Sequence, residues 1–299
     1  MKRNRFNGIV HSSLTRESLV ILFGALGTLT LTSCKSDPPS GNKSQRIIER
    51  SGLDSPFELN PKTNSCEVIV SGTPEIGEFR IWLPEGISSN TGTCCVYPTG
   101  GPWVHDGNTV TQDVQKDGLG MVSDPPECSV VWQSTVTARE SSIDFGIKLT
   151  NTGETVIEKA GAAICIKFNQ ARWWSSARTF VLNEGKVRAL SDFEWPEDKY
   201  PFLQAFLLAG ASYDNASYHE NWGFSSHRLD EPIMVSEHSE ANICVAVTAD
   251  RAYFLHSNQG NPCTDVMLAF GDIAPRETVE SCGQILILKG KAQDVLAQP

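Results

Sequence analysis

From residue 66 onward the chain alternates apolar and polar positions with a period of two, interrupted every few residues by clusters of Gly, Pro, Asn, Asp and Ser. That is the pattern of short β-strands joined by tight turns. Residues 142–149 show it most cleanly: Ile143, Phe145, Ile147 and Leu149 alternate with Ser142, Asp144, Gly146 and Lys148, so one face is buried and the other meets water. Asn151, Thr152 and Gly153 supply turn chemistry, and Ala162, Ile164, Ile166 and Phe168 resume the alternation, which predicts an antiparallel pair. Similar runs predict strands at 66–70, 79–83, 93–97, 129–136, 179–182, 186–190, 242–248, 251–256 and 284–289, with a short helix over 291–298. Residues 243–247 and 285–288 are apolar at every position, as in strands covered on both faces. So many short strands without interleaved helical periodicity argue against a parallel α/β fold. They predict an all-β chain, an antiparallel β-sandwich with short or no helices.

The first 62 residues do not share this pattern. Lys2, Arg3, Arg5 and Arg16 precede an uncharged, mostly apolar stretch over 18–33, the layout of a secretory signal and too short for the roughly 20 residues of a membrane-spanning helix. It closes on Leu31, Thr32, Ser33 and Cys34, which resembles the bacterial lipobox. The resemblance implies that Cys34 is alkylated with diacylglycerol and becomes the mature N-terminus, the membrane being met through this anchor alone. Lys35 stands where Asp often marks inner-membrane retention, so the implied location is the cell envelope at the outer membrane. The expected organisation is a signal peptide over 1–33, a tether over 34–62 and one sandwich domain over 63–299, the tether being rich in Pro, Ser, Gly, Asn and Lys.

Charge narrows the partners. The chain carries 25 Lys and Arg against 35 Asp and Glu, and without residues 1–33 the balance is 21 against 34, a net charge of −13. Such a protein repels phosphate backbones, so nucleic acid is excluded as the expected partner. Eight cysteines follow Cys34: Cys66, Cys94, Cys95, Cys128, Cys165, Cys244, Cys263 and Cys282. In an exported domain they predict disulfides of open connectivity. No CxxC, HExxH, GxSxG or P-loop occurs, so neither a metal site nor a cofactor is expected.

The stretch from Asp144 to Gly153, continuing into Ala163-Ile-Cys-Ile-Lys-Phe168, resembles the strand, Thr-Asn turn and strand of galactose-mutarotase-like supersandwich domains. The run from Gly271 to Thr278, followed by Gly283-Gln-Ile-Leu-Ile287, is similar to their closing turn and buried strand. The resemblance implies a supersandwich-like fold and a sugar-related function. No histidine stands in the context of that family's catalytic motif, so no catalytic residue carries over.

Chemistry concentrates in residues 213–231, an irregular stretch where Tyr213, Tyr218 and Trp222 could cover the apolar face of a sugar while Asp214, Glu220, Asn221, His227 and Arg228 bond its hydroxyls. The competing reading is that these aromatics pin a long loop to the core. His227, His238 and His256 would form a zinc or acid–base site with Glu237 and Asp230 only if the fold gathered them. Trp173 and Trp174 offer either an exposed aromatic patch or core packing. Three functions follow: a lipid-anchored module binding carbohydrate, a sugar-active enzyme of epimerase, lyase or hydrolase type, or an interaction lipoprotein without a small-molecule site. The anchor is testable by labelling cells with a fatty-acid analogue. The wild-type chain should take up label and Cys34→Ala should take up none; equal labelling of both would remove the lipobox assignment.

Overall fold

A strand with one apolar face needs another apolar face to cover it, and the alternating runs of this chain meet that need by stacking two antiparallel sheets. The computed structural model describes residues 57–71, 77–96, 98, 100–114, 129–168, 175–194, 203–215, 218, 222–258 and 260–297. Among them the first sheet contains β1 (Glu58–Pro61), β2 (Glu67–Ser71), β3 (Phe79–Ser89), β4 (Gly92–Val96), β9 (Ile157–Lys167), β12 (Leu203–Leu207), β15 (Ala252–Asn258) and β16 (Cys263–Ile273). Its order is β1-β2-β3-β9-β16-β15-β12, with β4 also paired to β3. The second sheet contains β5 (Trp103–Asp106), β6 (Thr109–Val114), β7 (Val130–Ala138), β8 (Ser142–Asn151), β10 (Thr179–Asn183), β11 (Lys186–Ala189), β13 (Ile233–Glu237), β14 (Ile243–Ala249) and β17 (Thr278–Lys289). They run in the order β11-β10-β13-β14-β17-β8-β7-β6-β5.

The main core lies between the sheets, where Ile81, Ile164, Ile166, Leu255 and Val266 of the first meet Ile143, Phe145, Ile147, Val245 and Ile287 of the second. Each such side chain contributes about 1.5–3 kcal/mol on leaving water. The two continuously apolar runs become the neighbours β14 and β17. Their inner faces join this core, while Cys244, Ala246 and Leu288 pack outward against Ala292, Val295 and Leu296 of α1 (Ala292–Leu296).

Several expectations are corrected. Residues 142–149 and 162–168 do not pair: β8 belongs to the second sheet and β9 to the first. Both bury a face in the same core, so the turn between them crosses from sheet to sheet. Asn151 fixes the crossing, its Nδ2 donating to the carbonyls of Thr155 and Ile273 and its Oδ1 accepting from the Gly153 amide. Strand β1 falls inside the stretch read as tether, and Phe57 is already core. Strands β5, β6, β12, β13 and β16 add to those predicted. The described cysteines Cys66, Cys95, Cys165, Cys244, Cys263 and Cys282 carry free thiols, not disulfides. All but Cys282 are buried; Cys66 and Cys95 serve as small groups in the inter-sheet core and Cys244 packs against α1. Cys34, Cys128, Trp173, Trp174 and the side chain of Cys94 lie outside the described residues.

Close packing in the second sheet leaves no room at Gly283, where a Cβ would run into the Thr248 carbonyl oxygen and the Phe145 ring. Gly283→Ala should cost roughly 1–3 kcal/mol, as overpacked cores do. A thermal or denaturant midpoint unchanged from wild type would show that β14, β17 and β8 are not packed this way.

Candidate binding site

The register of the first sheet places one residue from each of six strands in a row: Glu67, Trp82, Cys165, Asp265, His256 and Ala205. Directly opposed residues share a face. Their neighbours Ile81, Ile166, Val266, Leu255 and Phe206 point into the inter-sheet core, so the row faces away from it.

At its centre Asp265 and His256 are buried, with Oδ2 and Nδ1 2.6 Å apart. A carboxylate oxygen accepts, so Nδ1 is the donor of the pair, and in the neutral imidazole Nε2 then keeps its lone pair. Nε2 of His256 and Oδ1 of Asp265 have no hydrogen-bond partner among the described residues. Trp222 lies parallel to the imidazole, ring centroids 4.4 Å apart and planes 18° from parallel.

Trp222 belongs to a strap that crosses this outer face. Tyr213 stacks on Tyr253 at 4.7 Å, and its hydroxyl meets Ser88 Oγ at 2.5 Å. Tyr218 stands edge-on to Trp222 at 4.5 Å, while Trp222 and Phe224 both meet the ring of Phe254. The strap then returns along the free edge of β12, where the Ala205 amide donates to the Gly223 carbonyl and the Leu229 amide to the Leu207 carbonyl. Burial pushes the Tyr213 phenol above its ordinary range and the Tyr218 phenol up to about 12, so both act as neutral hydrogen-bonding groups.

Beyond Trp222 the face becomes more open. A register shift in β3 between Trp82 and Gly86 gives Glu85 room to approach β9. Its carboxylate lies 3.9 Å from Lys167 Nζ, which sits 5.0 Å from the centre of the Trp82 ring. Cys165 and Cys263 complete the group, each offering a sulfur within 4.8 Å of an Asp265 oxygen and of the other sulfur. Burial pushes the Cys165 thiol well up; the Cys263 thiol, lowered by its contact with Cys165 but raised further by burial and Asp265, stands at about 11. Neither is a ready nucleophile.

The fold gathers only some of the residues expected from sequence. Tyr213, Tyr218 and Trp222 come together, but the first two are buried and hold the strap down, the packing role weighed against ligand contact. Asp214 is exposed beside Lys159 at 3.7 Å. His227 meets Phe193 edge-on, and Arg228 donates to the carbonyls of Leu208 and Ala211, bracing the strap. Glu220 and Asn221 lie outside the described residues. The three histidines do not converge. His238 Nδ1 accepts the Glu240 and Ala241 amides, Glu237 accepts from the Ala292 amide, and Asp230 accepts from Glu184 and Gly185. What His256 actually meets is Asp265 at Nδ1 and the stacked ring of Trp222, with Cys165 and Cys263 beside the Asp265 carboxylate. Their signal was the alternation of Cys263, Asp265 and Met267 along β16, three side chains on one face.

No protein-family model matches the chain, and no curated protein does. Among solved structures, a galactose mutarotase related enzyme from Lactobacillus acidophilus is similar at 8% identity, covering 79% of this chain and 98% of that one, with a TM-score of 0.44. A galactose mutarotase-like protein from Lactobacillus casei is similar at 8% identity over 80% and 98% of the two chains, TM-score 0.45. A GalM/aldose epimerase homologue from C. elegans is similar at 10% identity over 79% and 100%, TM-score 0.35. At these identities and scores the likeness assigns neither a reaction nor a residue.

The strap is anchored by the hydroxyl contact between Tyr213 and Ser88, which a double-mutant cycle isolates. Tyr213→Phe and Ser88→Ala should each lower stability, with a coupling of about 0.5–1.5 kcal/mol. Strictly additive losses would mean that the two hydroxyls do not meet.

Proposed function

We propose that the protein is an envelope module, held by lipid on Cys34, that recognises carbohydrate at the rim where the strap ends on the outer face of the first sheet. The observation that carries this reading is the placement of two partly exposed tryptophans, Trp82 and Trp222, on one face with Glu85 and Lys167 beside them. An indole covers the apolar C–H face of a pyranose, and a carboxylate and an ammonium bond its hydroxyls. Trp82 and His256, on which Trp222 stacks, stand three strand spacings apart, about 14 Å, the scale of a short saccharide. The acidic surface favours a neutral or cationic glycan over an anionic one. Tyr218 braces Trp222 edge-on, and both Tyr213 and Tyr218 pack on Phe254, the ring that Trp222 also meets.

A second reading, a sugar-active enzyme, is favoured by His256 and Asp265. An imidazole held by a carboxylate at Nδ1, with Nε2 free to accept, has the form of a general base.

A glycan array followed by calorimetry tests the reading. The parent protein should bind a glycan, and Trp82→Ala and Trp222→Ala should each weaken that binding by roughly 1–3 kcal/mol. Thermal midpoints measured alongside separate loss of contact from loss of fold. No glycan bound by the parent, or binding indifferent to both substitutions in folded protein, would overturn the proposal.

A further inference from the structure

Cys165 on β9 stands directly opposite Asp265 on β16, and Cys263 precedes Asp265 by two residues on the same strand face. Two sulfurs and a carboxylate oxygen therefore converge within 4.8 Å from buried side chains. The carboxylate is the informative member. Its side chain is 5% exposed, and Oδ1 has no partner among the described residues, a costly state for a buried acceptor. Oδ2 is held by His256 Nδ1 at 2.6 Å, much as an imidazole outside a coordination shell orients the carboxylate within it, and it also accepts from Cys263 Sγ at 3.6 Å. Lys167, a cation on this face, lies against Glu85 and the Trp82 ring.

We propose that Cys165, Cys263 and Asp265 bind a borderline-soft divalent cation of the zinc class. Two thiolates with one carboxylate suit zinc, whereas calcium and magnesium take oxygen ligands. Three donors from the chain leave a fourth coordination position. On binding, each thiol forms a metal–sulfur bond and releases its proton to solvent; the carboxylate stays ionised and nothing is oxidised or reduced. A disulfide between the same sulfurs would pass two electrons to an external oxidant and leave Oδ1 still without a partner. The carboxylate is therefore what favours the cation. The donors lie in the row between Trp82 and His256 but are buried within it, and cobalt uptake is read without any glycan, so either reading fails on its own test.

The test uses the full chain, purified under reducing conditions and freed of metal, then titrated with Co²⁺. It should take up about one ion per chain, displaceable by Zn²⁺, with thiolate-to-cobalt charge-transfer absorption. Cys165→Ser and Cys263→Ser should each diminish that absorption, and Cys244→Ser, on the second sheet, should keep it. His256→Asn should weaken cobalt binding roughly 10- to 100-fold while retaining the absorption, since the ring acts through Asp265. Should the serine variants fail to fold, the wild-type thermal midpoint serves instead: Zn²⁺ should raise it and a chelator reverse the rise. The proposal is overturned by three outcomes: no charge-transfer absorption from a protein whose thiols titrate as free, absorption that survives both substitutions, or a Cys165–Cys263 disulfide in protein recovered from cells.

Discussion

Strand β16 is largely buried on both faces, so the polar groups it carries depend on their neighbours for partners. One face of β9, β16 and β15 packs against the second sheet, and the other lies largely beneath the aromatic strap. Between apolar coverings, Asp265 would be prohibitively expensive without His256, and both side chains are less than a tenth exposed. The register that opposes Cys165, Asp265 and His256 is thus fixed by energetics as well as by pattern. A slip of one residue would turn these groups into the inter-sheet core and expose Val266 and Leu255.

The strap answers two structural problems together. It covers the apolar patch made by Ala163, Met267 and Phe254, and its return segment occupies the free edge of β12. Its tyrosines settle the first problem with stacked rings and satisfied hydroxyls, its backbone the second. Trp222 is the last ring before the face becomes more open, which puts the buried dyad and the partly exposed Trp82, Glu85 and Lys167 side by side. A rigid sheet with polar and aromatic groups at the margin of a cover keeps those groups placed without burying all of them.

Much of the architecture was legible because period two is a strong signal. The run 142–149 gave a strand with the right inward face, and the uninterrupted apolar runs marked β14 and β17 as covered on both sides. What escaped was partnership. Nothing local in Asn151-Thr152-Gly153 distinguishes a hairpin turn from a crossing between sheets; the distinction lies in Asn151 reaching Ile273, distant in sequence. The site escaped for the same reason. A cluster drawn from residues 82, 165, 256, 263 and 265 has no motif spacing, because strand pairing assembles it. Polar and aromatic density in 213–231 expresses mainly how the strap is secured: Tyr213, Tyr218 and Arg228 fasten it, and Trp222 alone of the three expected sugar-stacking rings remains partly exposed.

The central claim is that Asp265 and His256 form a buried, oriented pair beneath Trp222. A long-range nitrogen–proton correlation spectrum of the histidine side chains reads it directly. The account predicts that the neutral His256 ring is held in the single tautomer with the proton on Nδ1 and Nε2 bare, with ring protons shielded by the stacked indole. A His256 signal averaging between tautomers like that of an exposed histidine, without the indole shift, would contradict it.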